Sequence, residues 1–238
     1  MKRRVVIVQA RVGSSRLPGK VLLDLAGKTV LRHVLERCIA IEGASRVCCA
    51  IPTGSSDDAV AEEAMRCGAG VVRGSETDVL DRYYRAALEY EADVVVRVTS
   101  DCPVLDPYVA GRVLKLVTEA GADYACNNLP RTWPHGLDCE AFRFGWLERA
   151  AREAYLPYDR EHVTPFMRNH PESRKLNLPG PGAEAARHRW TLDTADDLEF
   201  LRGLFARLPA GPAGFDFRLP LSIVEKEPEL AAVNRVAP

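Results

Sequence analysis

Residues 5–20 read V-V-I-V-Q-A-R-V-G-S-S-R-L-P-G-K, and this stretch decides the fold. Val5–Val8 is a short apolar run flanked by charge, the pattern of a strand buried on both faces. It gives way directly to a loop suited to anions. Gly13 and Gly19 permit close backbone approach, Ser14 and Ser15 add hydroxyl donors, and Arg11, Arg16 and Lys20 add charge. Residues 1–20 carry six basic side chains and no acidic one. A unit charge pair at ~4 Å is worth ~4 kcal/mol at an effective dielectric of ~20 before desolvation, so three cations suffice for a triphosphate. The bland alternative is an exposed, solvated basic loop. A Walker loop is excluded, because five residues separate Gly13 from Gly19 and Val21 follows Lys20 where Ser or Thr is needed. A dinucleotide G-x-G-x-x-G is also absent.

Working outward, short apolar runs alternate with helical patterns. Strands are expected at Arg46–Ile51, Gly70–Arg73, Asp93–Val98 and Ala122–Cys126. Helices are expected around Val30–Cys38, Asp57–Cys67, Val79–Tyr90 and Pro107–Glu119, the last opened by proline. Such alternation implies an α/β fold with a parallel sheet covered on both faces. The second half is less regular: a strand over Leu137–Phe142, a helix over Gly145–Ala154, a strand over His188–Leu192 and a helix over Thr194–Leu208. Leu178–Gly182 and Leu208–Gly214 are Pro/Gly loops too short to link domains. The expectation is one domain over residues 1–238, with an inserted lobe near residues 127–185.

Apolar residues make up 47% and charged residues 27%, which excludes a mainly disordered chain. The 32 basic and 33 acidic side chains give a net charge of −1, against a nucleic-acid-coating protein. Seven scattered cysteines without C-x-x-C exclude zinc-ribbon and thioredoxin motifs and suit a reducing cytoplasm. Cys102, beside Asp101, is the one candidate for a reactive thiol. The apolar run after Lys2-Arg3-Arg4 ends at Gln9, too short for a signal peptide, and no membrane span is expected.

Two carboxylates stand out. Asp101 follows the Asp93–Val98 strand, so it shares the ligand-binding rim with the Gln9–Lys20 loop if both strands are parallel. Its position before Cys102-Pro103 fits a turn residue as well as a Mg²⁺ ligand. Asp193 precedes Thr194, whose pairing with Asp197 has the form of a helix capping box. Capping explains Thr194 and Asp197 but not Asp193. Only the fold can pair Asp101 with Asp193, and such a pair can hold one Mg²⁺ bridging substrate phosphates.

The opening V-I-V-Q-A-R-V-G-S-S-R-L-P-G-K-V-L resembles that of sugar cytidylyltransferases. The similarity is greatest to the spore coat polysaccharide biosynthesis protein F group, related to 3-deoxy-manno-octulosonate and acylneuraminate cytidylyltransferases. It continues in G-S-E-T-D-V-L-D-R-Y (Gly74–Tyr83), V-V-R-V-T-S-D-C-P (Val95–Pro103), P-H-G-L-D-C-E-A-F (Pro134–Phe142), R-E-H-V-T-P (Arg160–Pro165) and R-W-T-L-D-T-A-D-D-L (Arg189–Leu198). The resemblance implies a nucleotide-diphospho-sugar transferase (GT-A-like) fold, with a Rossmann-like, mostly parallel mixed sheet flanked by helices. It implies CTP binding by Ala10, Arg11, Gly13, Ser14, Arg16, Lys20, Asp78, Arg82 and Arg97, and a Mg²⁺ ion on Asp101 and Asp193. His135, Asp138, Glu140, Arg160 and Glu161 are expected on the sugar side, although the Arg160–His162 run equally fits a salt-bridge cluster. Arg97 and Ser100 stand where the octulosonate enzymes have other residues.

The implied reaction is attack of a sugar hydroxyl on the α-phosphorus of CTP, with Lys20, Arg16 and Asp101 as the catalytic residues. The expected products are a CMP-sugar and pyrophosphate, the sugar being an acidic one destined for surface polysaccharide. The alternatives are a nucleotide-sugar-dependent glycosyltransferase of the same fold and a non-catalytic nucleotide-sugar-binding subunit. The resemblance is compatible with a homodimer, and the tail Phe215–Pro238 packs on the body or on a second subunit.

Overall fold

The computed structural model describes residues 2–211 and 214–234; part of the Leu208–Gly214 loop and the end of the tail lie outside them. The strands are β1 Arg4–Gln9, β2 Asp24–Leu25, β3 Lys28–Thr29, β4 Arg46–Pro52, β5 Gly70–Gly74, β6 Val94–Thr99, β7 Tyr124–Cys126, β8 Glu140–Arg143 and β9 Lys175–Asn177. The helices are α1 Val30–Ile39, α2 Asp58–Arg66, α3 Val79–Glu89, α4 Pro107–Thr118, α5 Phe144–Glu153, α6 Pro157–His162, α7 Pro165–Asn169, α8 Ala183–Ala186, α9 Ala195–Phe205, α10 Arg218–Lys226 and α11 Pro228–Ala232. Seven strands form one sheet in the order β5-β4-β1-β6-β8-β7-β9, while β2 and β3 make a separate hairpin.

Val5–Val8 is fully buried because its alternating side chains enter two different cores. Val6 and Val8 face α1, α4 and α9; Val5 and Ile7 face α3 and α5. Apolar side chains on both faces need helices on both, which parallel crossovers supply. β1 accordingly lies parallel to β4 and β6, so their carboxyl ends share one rim. The sheet is mixed rather than wholly parallel: β8 runs antiparallel to both β6 and β7. Among the described residues no helix is long and apolar enough to cross a membrane.

Two local expectations are corrected. His188–Leu192 is irregular, with a single bridge between His135 and Arg189. Trp190 and Leu192 are buried, so the apolar alternation records packing; their N–H groups bond His135 O and Asp101 O instead of a strand ladder. The strand expected from Leu137 begins at Glu140, because the Asn127 side chain donates to Leu137 O and accepts from Cys139 N–H. The sequence pattern gives no signal for the β2–β3 hairpin, β9, the short α6, α7 and α8, or α10 and α11, where proline, glycine and charge mask the periodicity. The segment 127–185 places β8 and β9 in the main sheet.

A buried ion pair sits in the middle of this sheet. Arg97 on β6 lies opposite Glu140 on β8 and donates to its carboxylate. Glu140 also accepts from Tyr124 Oη at 2.5 Å and Thr164 Oγ1 at 2.7 Å. Burial pushes the Glu140 carboxyl up, but Arg97, Tyr124 and Thr164 hold it below the ordinary glutamate range. A carboxyl lowered on folding contributes stability above its unfolded pKa and loses it as pH falls through the folded value. Glu140→Gln would strand the Arg97 charge, which costs about 3–5 kcal/mol. The variant is expected to melt on the order of 10 °C lower at pH 7. Calorimetry should find the gap narrowing below about pH 4, and equal melting at pH 7 would contradict the assignment.

Candidate functional site

The carboxyl ends of β1 and β6 open onto a cavity of about 440 Å³. One wall is the loop after β1, contributing Gln9, Ala10, Arg11, Gly13, Ser14, Ser15, Arg16 and Lys20. The loop is shaped from within and without. Gly19 N–H bonds Val12 O at 3.1 Å, and Gly19 itself turns at φ +68°, a conformation that favours glycine. Leu17 N–H bonds Ser14 Oγ. From outside, buried Asp57 accepts the Val12 N–H at 2.6 Å. The sequence reading placed Asp57 only in the first turn of a helix; its partner is 45 residues away, which no local pattern reveals.

Asp101 and Asp193 meet at the far side of this loop. Their backbones are joined by Leu192 N–H to Asp101 O at 2.8 Å and by Thr191 Oγ1 to the same oxygen at 3.2 Å. Lys20 Nζ lies between the side chains, 2.8 Å from Asp101 Oδ2 and 2.9 Å from Asp193 Oδ1, with Leu192 O at 2.8 Å. Arg16 reaches Asp193 Oδ1 at 2.9 Å, and Arg189 takes Asp193 Oδ2 at 2.6 Å. Burial works to raise the Asp193 carboxyl, but Lys20, Arg189 and Arg16 hold it below the usual aspartate range. Burial works to lower the Lys20 ammonium, but Asp101 and Asp193 raise it, so it stays charged.

Arg189 is fixed by Asp197, an almost fully buried carboxylate. Asp197 also accepts the N–H groups of Asp193 and Thr194, and Thr194 Oγ1 accepts from Asp197 N–H. The capping box expected at Thr194 and Asp197 is therefore present and holds Asp193 in place.

Arg82 enters the cavity from α3. It is 2% exposed, and its Nε and Nη1 have no hydrogen-bond partner. Two free donors on a buried guanidinium suit an anion or a carbonyl acceptor. A Cβ at Gly74 would stand 2.6 Å from Arg82 Cγ, so glycine there makes room for the arginine. Val21, Glu76, Thr77, Val79, Thr99, Ser100, Glu161 and His162 complete the lining with Asp101 and Asp193. His162 was missed although it stands inside the R-E-H-V-T-P motif.

Other expected contact residues do not line the cavity. Arg97 and Glu140 are spent on each other in the sheet, although Arg97 Nη2 donates to Gln9 Oε1 at 3.1 Å and so orients a residue that does line it. Asp78 caps α3 by accepting Asp81 N–H and is gripped by Arg160, which ties α3 to α6. Of the Arg160–His162 run, Arg160 is therefore a frame residue, while Glu161 and His162 face the cavity. His135 and Asp138 form an adjacent cluster with Arg131, linked to the site through His135 Nδ1 and Arg189 at 3.3 Å. The Cys102 thiol is buried; burial and Asp101 push it well above the usual range, which excludes a reactive thiolate.

Asp101 Oδ2 and Asp193 Oδ1 converge on one point, already filled by a positive group. That is the donor set a hard divalent ion takes. Among the described residues no cluster of three His, Cys, Asp or Glu exists, so such an ion would complete its shell with ligand oxygens or water.

A cytidylyltransferase family model matches residues 5–207. The spore coat polysaccharide biosynthesis protein SpsF of Bacillus subtilis is 29% identical, over 97% of this chain and 97% of its own. The 3-deoxy-manno-octulosonate cytidylyltransferase of Escherichia coli is 34% identical over 110 residues, 45% of this chain and 43% of its own. A solved cytidylyltransferase from Leptospira borgpetersenii superposes over the whole of both chains with a TM-score of 0.93 at 29% identity. The basic loop after β1, the paired acids across the rim and a match over most of the length agree: the chain belongs to the cytidylyltransferase family and is a nucleotidyltransferase.

Proposed function

We propose that the protein couples CTP to a sugar acid, giving a CMP-sugar and pyrophosphate. The observation that carries this reading is the meeting of the acid-free basic loop with Asp101 and Asp193 at one ammonium, Lys20 Nζ. A glycosyltransferase has no triphosphate to hold, and a binding subunit has no use for converging carboxylates. The sugar-acid acceptor is supported by kinship with the octulosonate enzyme of E. coli, and by the guanidinium groups of Arg131 and of Arg189 beside Asp193.

In this reading Ala10, Arg11, Gly13, Ser14, Arg16 and Lys20 cradle the phosphates through backbone and side-chain donors. Arg82 adds a buried guanidinium for the nucleotide. Glu161, His162, His135 and Asp138 face the acceptor. The sugar hydroxyl oxygen forms a bond to the α-phosphorus as the α–β phosphoanhydride bond breaks. Its proton passes to water, and pyrophosphate leaves with the bonding pair. Arg16 and Lys20 stabilise the charge that builds on pyrophosphate, so catalysis is mainly positioning and electrostatics. Asp101 and Asp193 would hold a Mg²⁺ ion, which supplies positive charge to the phosphates and acidifies the hydroxyl.

The test is pyrophosphate release from CTP over a panel of acidic and neutral sugars. Release with an acidic sugar is expected; transfer from a nucleotide-sugar without pyrophosphate would contradict the reading. With that substrate, Lys20→Ala should lower turnover about 10²–10³-fold. Asp57→Ala should cost about 1–3 kcal/mol by leaving Val12 N–H unpaired. The same variant should weaken nucleotide binding, measured by isothermal calorimetry beside a melting curve.

A further inference from the structure

Lys20 makes three contacts at 2.8–2.9 Å, to Asp101 Oδ2, Asp193 Oδ1 and Leu192 O. An ammonium has three donors, so its hydrogen-bonding capacity is full. It stands where the two carboxylates converge, which is where a divalent ion on the same pair would sit. A second cation cannot share that point, because like charges in a partly buried site repel strongly.

The three cations around Asp193 differ in their freedom. Arg189 is held by two contacts to Asp197, whose remaining capacity goes to backbone N–H groups and Asn234. It binds the outer oxygen, Asp193 Oδ2. Arg16 and Lys20 both bind the inner oxygen, Oδ1, and both come from the glycine loop. The Arg16 side chain is 63% exposed. Phosphate oxygens entering the loop would offer both side chains a new anionic partner, and Arg189 would stay behind.

Resting on the reading of Asp101 and Asp193 as a metal-binding pair, we propose that Lys20 is a resident cation that fills the metal subsite while the nucleotide is absent. Its departure toward the phosphates opens the subsite, so the divalent ion joins with or after the nucleotide and not before it. Lys20 thereby sets the order of binding, in addition to its work on the leaving group.

The test needs no substrate. Binding of Mn²⁺ to the full-length, nucleotide-free protein is followed by electron paramagnetic resonance of the free ion, for wild type, Lys20→Met and Lys20→Gln. Melting curves verify that at least one variant is folded. The variants are expected to bind one Mn²⁺ at least about ten-fold more tightly than wild type, as removal of one competing charge allows. Adding Asp101→Asn to the Lys20→Met protein should abolish the gain. Anomalous scattering from Mn²⁺-soaked crystals should place the ion between Asp101 and Asp193 only in the variants. Equal Mn²⁺ affinity in wild type and both variants would overturn the gating while leaving the metal pair intact. No binding in any of the three would overturn the metal pair and the gating with it.

Discussion

The ammonium of Lys20 between Asp101 and Asp193 is the contact on which the rest of the site depends. It joins three parts of the chain, separated by 81 and 173 residues from Lys20 to its two acids. Each part reaches that point for its own reason. The parallel pairing of β1 with β6 brings the basic loop and Asp101 to one rim. The backbone bond from Leu192 to Asp101 and the cap of α9 fix Asp193. Two carboxylates this close would repel without a cation between them.

Much of the polar chemistry around the cavity serves to hold it still. Arg97 and Glu140 carry opposite charges across the sheet beneath Gln9. Asp78 and Arg160 clamp the start of α3 to α6, where Glu161 and His162 face the ligand space. Asp57 braces the basic loop after β1, and Asp197 braces Arg189. None of these groups needs to touch a substrate to matter. Each fixes the position of a segment that lines the cavity or of a residue paired with one that does, which is how a site gains preorganisation from buried polar pairs.

How legible all this was in the sequence follows from the range of the interactions. The β1 strand and its loop were readable because the apolar run, the glycines and the acid-free basic cluster lie within 20 residues. The capping box at Thr194 was readable because its partners lie three residues apart. The rim position of Asp101 needed only the assumption of parallel strands. By contrast, Asp57 and Asp197 look like ordinary acids at helix starts, and their distant partners exist only in the folded chain. Arg97 and Asp78 stand in family motifs, so motif membership suggested ligand contact, while Arg160 fitted a salt-bridge cluster equally well; the fold spends all three on pairs with other side chains. The two free donors of the buried Arg82 guanidinium, Nε and Nη1, give no sequence signal beyond its motif, because its burial is a property of packing against Gly74.

In the proposed function the basic loop, Arg82 and the Lys20-bridged acids form one receptor for a cytidine triphosphate with a divalent ion. Thermal melting with CTP, UTP, GTP and ATP, each with and without Mg²⁺, tests it without knowledge of the sugar. A ligand at 100 times its Kd stabilises by ~2.7 kcal/mol, a rise of roughly 5–10 °C for a chain of this length. That rise is expected with CTP, dependent on Mg²⁺ and larger than with the other three. No rise with any triphosphate, together with one for a nucleotide-sugar, would contradict it.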